Sequence, residues 1–423
     1  MRNLILTAFL FASTYQNAVA GWDGNWSIFT NTNNQAAVTR SYKRLSGNVA
    51  IPNSVDGIPV VQVGGEGNVF GDSSTNITSI TIPDGVTIIG DRAFSDCSSL
   101  TSVTIPNSVT NISQYAFAEC SSLTTIAIQD SVMSIGEGAF FKCTGLTRLD
   151  IGNNVRNIGK RAFGLCKSLT SITIPDSVIS IGDLAFNGCL SLTSVTIPNS
   201  VTFLGEEAFY KCTNLTTVTI GNSVTRIGND AFYRCTGLKS INIGNSVTSI
   251  GDMAFKECKS LVNITIPNRV TSIGKDAFSE CAALTNITIP DSVVFLGDGA
   301  FRYGCTSLTN VVIGNSVSSI GNETFLHCSN LASVTIPNSV TNIGNNAFTH
   351  TGLRSATIGN SVKSVRRFAF SNCTNLTSIT FPSSVKIIEE GAFYGCTRLS
   401  SITISPGTRI KGELPSHIKI NQK

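Results

Sequence analysis

The sequence of 423 residues has few charged residues and no long apolar run. Only 13% of the residues are charged, and 30 Lys and Arg against 26 Asp and Glu give a formal net charge of +4. Such a small charge on a chain of this length argues against nucleic acid or an acidic membrane as the partner. A transmembrane helix needs roughly 18 consecutive apolar residues. No stretch has that length, so no membrane span is expected.

Motifs for catalysis are also missing. The sequence has no Ser-His-Asp set, no Gly-rich phosphate loop and no metalloprotease helix. Acidic residues such as Asp91, Glu137 and Asp183 recur at one turn position, which indicates solvated turns rather than paired catalytic carboxylates. We therefore expect a protein that is not an enzyme and that uses no cofactor.

The N-terminus has the pattern of a secretory signal peptide. Arg2 supplies a positive start, residues 4–12 are apolar, and the segment from Ala18 to Ala20 offers a small-residue cleavage site. The pattern predicts a signal peptide over residues 1–20 and a mature chain that begins at Gly21. The expected location is outside the cell or on its surface.

One unit recurs fourteen times between residues 77 and 398, almost always with a period of 23 residues. In the copy that opens at Leu100, the apolar residues include Val103, Ile105, Phe117 and Cys120. The Phe recurs in every copy without exception. Such a period predicts a solenoid, in which each coil buries its apolar side against its neighbours and the Phe side chains form one shared column.

Each unit is predicted to be mainly β. The segment after the repeat Leu alternates apolar and small polar residues, which is typical of a strand with one buried face. The stretch from Val109 to Ile112 indicates a second short strand, followed in eleven copies by Gly. We expect that Gly to adopt a positive φ. The Ala-Phe-x-x-Cys segment is long enough for one helical turn and no more.

The repeat, seen in full from Leu192 to Asn214, resembles the 23-residue leucine-rich repeat of the BspA-like surface proteins. The resemblance covers about three quarters of the chain. It implies a leucine-rich-repeat solenoid with a curved parallel sheet on its concave face and short turns or single helical turns on the convex side. It also implies adhesion to host or matrix proteins or to other cells, and it supplies no catalytic residue.

The two ends of the chain depart from the period. Residues 21–76 are predicted to be an N-terminal cap with a degenerate first repeat, 77–398 the repeat array, and 399–423 a last strand with a C-terminal cap. The N-terminal segment contains Trp22, Trp26, Phe29 and Tyr42. A hairpin that covers the exposed end of the first coil is the favoured interpretation, and an aromatic ligand site is the alternative.

The thirteen cysteines all stand in one column of the repeat, from Cys97 to Cys396. Buried thiols that act as small hydrophobic groups are favoured over scattered disulfides between coils and over metal binding. His327 and His350 both follow the repeat Phe by two residues, so adjacent coils should bring them close. Two imidazoles could share a zinc ion, but a chance pairing at a variable position is favoured, and no metal site is expected.

The outward positions of the strand, two and four residues after the repeat Leu, carry mostly Ser and Thr. Departures from this pattern are the candidate binding residues: Arg148, Asp150, Asn242, Asn263, Asn286 and Asn310. The main hypothesis is a secreted or cell-surface recognition protein that binds a protein or glycan through the concave strand face. The alternatives are a self-associating structural scaffold without a specific ligand, and plain solvation of the Ser and Thr rows.

Overall fold

A computed structural model describes residues 21–22, 26–31, 33–41, 45–65 and 67–423. The predicted signal peptide and the side chains of Trp22 and Tyr42 lie outside the described part. The chain divides into two units, one that ends at Leu192 and one from Thr193 to Lys423. Both units are built from short coils of parallel strands, which confirms the predicted solenoid.

Each coil contributes one strand to each of two ladders. The strand that follows the repeat Leu belongs to the first ladder, and the two-residue strand near the repeat Ile belongs to the second ladder. Neighbouring strands pair in parallel with a shift of one coil, as Thr217↔Ser240 shows in the first ladder and Ser249↔Ser272 in the second. The 23-residue period therefore sets the register of both ladders.

The unit that ends at Leu192 begins with a hairpin. Strand Trp26–Thr30 pairs antiparallel with Gly21–Trp22 and with Ala36–Ser41, and Ala36–Ser41 starts the second ladder. The first ladder of this unit contains Gly47–Ala50, Ile77–Thr81, Ser102–Thr104, Thr125–Ala127 and Arg148–Asp150. The second ladder continues through Ile58–Val63, Ile88–Ile89, Asn111–Ile112, Ser134–Ile135, Asn157–Ile158 and Ser180–Ile181, with Ser54–Val55 paired beside Ile58–Val63.

The unit from Thr193 to Lys423 has the same two ladders. Its first ladder contains Ser194–Ile197, Thr217–Ile220, Ser240–Asn242, Asn263–Ile264, Asn286–Thr288, Asn310–Val312, Ser333–Thr335, Ser355–Thr357, Ser378–Thr380, Ser401–Ile404 and Lys419–Gln422. Its second ladder contains Phe203–Leu204, Arg226–Ile227, Ser249–Ile250, Ser272–Ile273, Phe295–Leu296, Asn342–Ile343, Ser364–Val365, Ile387–Ile388 and Arg409–Ile410. Among the described residues the one helix is the 3₁₀ helix Gly71–Asn76 in the other unit.

The repeat Phe side chains form a continuous stack inside each unit. The rings of Phe117 and Phe140 are 5.2 Å apart with an interplanar angle of 4°, and those of Phe232 and Phe255 are 5.5 Å apart at 1°. At the N-terminal end Trp26 is buried and meets Phe70 edge-on at 6.4 Å. Trp26 therefore covers the end of the stack, as a cap residue would.

Glycine recurs at the position after the repeat Ile for a different reason from the one that the sequence suggests. The prediction of a positive φ at positions such as Gly136 and Gly274 is wrong, since neither has one. A Cβ atom at Gly136 would lie 2.6 Å from the carbonyl carbon of Ser113, and one at Gly274 would lie 2.6 Å from that of Gly251. In most of the coils that carry glycine, the backbone of the preceding coil passes too close for a Cβ, whereas Ser113, Arg366 and Glu389 occupy the same position in three other coils.

Positive φ occurs instead at two other positions of the coil, two residues before and two residues after the repeat Phe. In one coil these are Glu207 at 55° and Lys211 at 58°. Left-handed backbone disfavours side chains with a Cβ, yet most of these positions carry polar residues other than glycine. These turns replace the single helical turn that the Ala-Phe-x-x-Cys segment would allow.

All thirteen cysteines are free and buried in the structure. The thiol of Cys143 donates a hydrogen bond to the carbonyl oxygen of Phe117 at 3.1 Å, and Cys258 does the same to Phe232 at 3.2 Å. At least eleven of the thirteen thiols pair a backbone carbonyl of the preceding coil in this way. This hydrogen bond explains, in addition to the small size of the side chain, why cysteine occupies this position of the repeat.

Burial of the thiols predicts that stability falls at alkaline pH. Burial raises the pKa of Cys305 from 9.0 to about 12, so the native thiol stays protonated where an unfolded thiol ionises. Stabilisation is complete below the unfolded pKa and declines as the pH rises toward the folded one, by up to about 1.4 kcal/mol per pH unit for each thiol. Urea unfolding at several pH values above 9.0 should show a shallower decline for Cys305→Val than for the wild type. Equal slopes would contradict this assignment.

Candidate functional site

The outward face of the first ladder, at positions two and four after the repeat Leu, is here called the strand face. In strands Ser194–Ile197 and Thr217–Ile220, exposed Ser or Thr side chains alternate with buried apolar ones. The residue directly after the repeat Leu is also exposed, which the sequence pattern did not indicate. At that position Thr216 donates its hydroxyl to the carbonyl of Thr193 at 2.9 Å, and Thr147 bonds Thr124 in the same way. Those hydroxyls are used inside the fold.

Three of the candidate asparagines lie in one column of the strand face. Asn286 and Asn310 are Cα partners in adjacent strands, and Asn263 occupies the same position in the preceding coil. The amide of Asn286 donates to the hydroxyl of Thr285 at 3.0 Å, and that hydroxyl also lies 3.5 Å from Oδ1 of Asn263. The structure therefore places these three residues in one polar row, in which the hydroxyl of Thr285 links Asn263 and Asn286.

Exposed apolar side chains flank this asparagine row. Val262 is 41% exposed and Val312 is 48% exposed, and both stand where most coils carry Thr. Asn242 lies nearby in the other column of the strand face, as the partner of Thr219. A row of amides with apolar neighbours differs from the hydroxyl rows around it, and this combination is suited to a partner with both polar and apolar groups.

The other two candidates, Arg148 and Asp150, lie in the unit that ends at Leu192. They share one strand, and Nε of Arg148 is 3.1 Å from Oδ2 of Asp150. Their side chains are 72% and 55% exposed, so the pair contributes little to stability. They form a charged spot on the strand face of that unit, separate in sequence from the asparagine row.

The structure places His327 against His350, as the register predicts. The two rings are stacked with centroids 4.6 Å apart, Tyr303 stacks on His327 at 5.7 Å, and Nδ2 of Asn372 is 3.4 Å from Nε2 of His350. Partial burial and the neighbouring His350 lower the pKa of His327, which favours the neutral ring. Within the described ranges, no group of three or more His, Cys, Asp and Glu side chains is placed to hold a metal ion.

An ionic cluster that sequence reasoning missed surrounds Arg302. Its guanidinium contacts Asp276 through Nε and Oδ1 at 2.6 Å and Glu323 through Nη1 and Oε2 at 2.5 Å. Asp276 is almost fully buried, with 1% of its side chain exposed. Gly299 lies in the coil between the two acids, where a Cβ would meet the side chain of Arg302 at 2.6 Å. Arg302 is 21 positions from Glu323 and 26 positions from Asp276 in the sequence, so the cluster depends on the coil register.

Comparison with models of known protein families identifies the family of this chain. The model described as the BspA type leucine-rich repeat region matches residues 66–193, 179–304 and 296–414. The chain belongs to the BspA-type leucine-rich repeat family. The match confirms the resemblance that the 23-residue repeat pattern indicates. A search of curated proteins found no match to this BspA-type chain.

Two solved structures show the same fold as this BspA-type protein. A leucine-rich repeat protein from Bacteroides ovatus is 28% identical with a TM-score of 0.75, and the match covers 94% of this chain and 98% of that one. A leucine rich cell surface protein from Faecalibacterium prausnitzii is 30% identical with a TM-score of 0.51, and the match covers 92% and 95%. Among the described residues, no helix is both long and apolar enough to cross a bilayer.

Proposed function

We propose that this BspA-type protein is a non-enzymatic recognition protein on the cell surface or outside the cell. It binds a protein or glycan through the strand face, with the asparagine row of Asn263, Asn286 and Asn310 as the main contact. The observation that carries the proposal is the replacement of the Ser and Thr row by three asparagines in one column of adjacent coils, beside exposed Val262 and Val312. Export, predicted from residues 1–20, and a relative described as a cell surface protein support the location.

The physical case is one of complementarity. An amide carries both a donor and an acceptor, so a row of amides can hydrogen-bond a peptide backbone or sugar hydroxyls. Rigid parallel coils hold the row in place, which reduces the entropy lost on binding. Arg148, Asp150 and Asn242 are proposed as secondary contacts. The strand face lacks the Trp and Tyr residues of strong hot spots, so we expect affinity to grow when several copies bind one surface.

Conversion of the asparagine row to the repeat consensus tests the site. The triple variant Asn263→Ser, Asn286→Ser, Asn310→Ser should bind partners at least about tenfold more weakly, a loss of about 1.4 kcal/mol. Ser fits this position in other coils, so the melting temperature should not change. Binding is measured by biolayer interferometry on immobilised matrix proteins and glycans.

A matched control removes three exposed asparagines from outside the strand face: Asn245→Ser, Asn268→Ser and Asn360→Ser. This control should bind like the wild type. Equal binding by the wild type and the row variant would reject the asparagine row. Alanine substitution of Arg148 and Asp150 then tests whether the other unit carries the contact.

A further inference from the structure

The C-terminal part of the chain is strongly basic although the whole chain is not. Residues 351–423 contain ten Lys and Arg, three Glu and no Asp. Because this segment carries +7 and the whole chain +4, residues 1–350 carry −3. The small overall charge therefore hides a marked asymmetry, and conclusions about partners that rest on the average charge do not apply to this segment.

Four of these cations form one patch along the second ladder, here called the basic cluster: Lys363, Lys386, Arg409 and Lys411. All four side chains are exposed. The amide of Lys386 donates to the carbonyl of Lys363 and that of Arg409 to the carbonyl of Lys386, both at 2.9 Å, so the three residues lie on successive coils. Adjacent strands are about 4.8 Å apart. The cluster thus presents closely spaced positive charges in a line.

Two further cations of this segment are neutralised by ion pairs. Arg366 pairs with Glu389 at 3.0 Å, and Arg367 pairs with Glu390 at 2.8 Å. No ion pair within the described part of the chain involves a member of the basic cluster. Unpaired neighbouring cations repel one another, and this repulsion favours binding of a polyanion.

A shallow groove of about 500 Å³ is lined in part by Arg366 and Glu389, which follow Lys363 and Lys386 of the basic cluster by three residues in the same coils. Its lining includes the amides Asn322, Asn342 and Asn345, the cations Arg366 and Arg367, and the acids Asp298 and Glu389, of which Glu389 pairs with Arg366. Successive coils fix the amides, since the backbone N–H of Asn345 donates to Oδ1 of Asn322 at 2.9 Å and that of Arg367 donates to Oδ1 of Asn345 at 3.2 Å. The groove is therefore a preorganised polar surface that continues from the cationic line.

We propose that the basic cluster and this groove bind an acidic polysaccharide, of the sulfated or uronic-acid class. The cations pair with sulfate or carboxylate groups, and the amides and arginines of the groove hydrogen-bond sugar hydroxyls. The lining has no aromatic residue and one apolar residue, Ile320. Single-stranded nucleic acids are held largely by stacking on aromatic rings, so the groove favours a sugar chain. This site is distinct from the strand face.

Fluorescence anisotropy with a labelled heparin octasaccharide tests the proposal on the full mature chain. The variant Lys363→Gln, Lys386→Gln, Arg409→Gln, Lys411→Gln should bind at least about tenfold more weakly, and binding by the wild type should weaken as salt shortens the range of the charges. The matched control Lys239→Gln, Lys259→Gln, Arg269→Gln, Lys275→Gln removes the same number of exposed cations from the same unit. It should change affinity less than about twofold.

Three results would overturn the proposal: no saturable binding by the wild type, equal loss in both quadruple variants, or equally tight binding of a single-stranded oligonucleotide of the same charge. Circular dichroism checks that both variants fold. The asparagine-row variant should keep its affinity for the octasaccharide, so a failure here and a failure of the strand-face proposal are distinguishable.

Discussion

Replacement of Phe255 by alanine is expected to lower the free energy of unfolding by about 3 to 5 kcal/mol. The side chain is fully buried, with Phe232 5.5 Å away on one side and Phe278 5.3 Å away on the other. Truncation removes the transfer free energy of the ring and leaves a cavity in a stack that the rigid coils cannot close. Because each coil of a solenoid is stabilised by its neighbours, the loss should be concentrated in the adjoining coils. Urea unfolding gives the total, and amide hydrogen exchange gives its location.

The chain offers a matched control in Phe295, which is 59% exposed in the same unit. Phe295→Ala removes the same ring from a solvated position on the second ladder. Its effect should stay within about 0.5 kcal/mol, as for most surface substitutions. Similar losses for Phe255→Ala and Phe295→Ala would contradict the role of the Phe stack.

Replacement of Arg302 by leucine is expected to cost about 3 kcal/mol, at the lower end of the range for a broken buried pair. Removal of the guanidinium leaves the buried carboxylate of Asp276 without its cation, whereas Glu323 is 31% exposed and can be solvated. The lower end applies because Arg302 itself is 24% exposed. The double variant Arg302→Leu, Asp276→Asn should recover part of the loss, since it removes the stranded charge. Urea unfolding measures both.

The exposed pair of Arg367 and Glu390 provides the comparison. Their side chains are 62% and 59% exposed, so Arg367→Leu should cost less than about 1 kcal/mol. If the double variant at Arg302 and Asp276 were as unstable as Arg302→Leu alone, the loss would come from packing of the arginine stem and not from the stranded carboxylate.

Much of the fold was predictable because each core position recurs at the same place in every repeat. An unbroken Phe such as Phe117 or Phe255 has one simple cause, a shared stack, and the alternation after the repeat Leu gives the strand and its outward face. The same period predicts that His327 lies beside His350, and the structure confirms this contact. Those inferences need only the coil register, which follows from the fourteen copies of the repeat.

What the sequence could not give depends on distances between coils. Gly136 and Gly138 look alike in sequence, but the first is excluded from bearing a side chain by the backbone at Ser113, and only the second has a positive φ, of 57°. The cluster at Arg302 joins three coils through the space above Gly299, which no local pattern indicates. The basic cluster was hidden for another reason, since an average charge conceals how charges are distributed along the chain.

Binding of the mature chain from Gly21 to an array of extracellular-matrix proteins and glycans is the most direct test of the proposed recognition function. The wild type, the asparagine-row variant and its matched asparagine control are applied side by side. The proposal predicts saturable binding to at least one partner, kept by the control and lost by the row variant. No binding to any partner, together with concentration-dependent assembly in light scattering, would contradict it and would favour a self-associating scaffold.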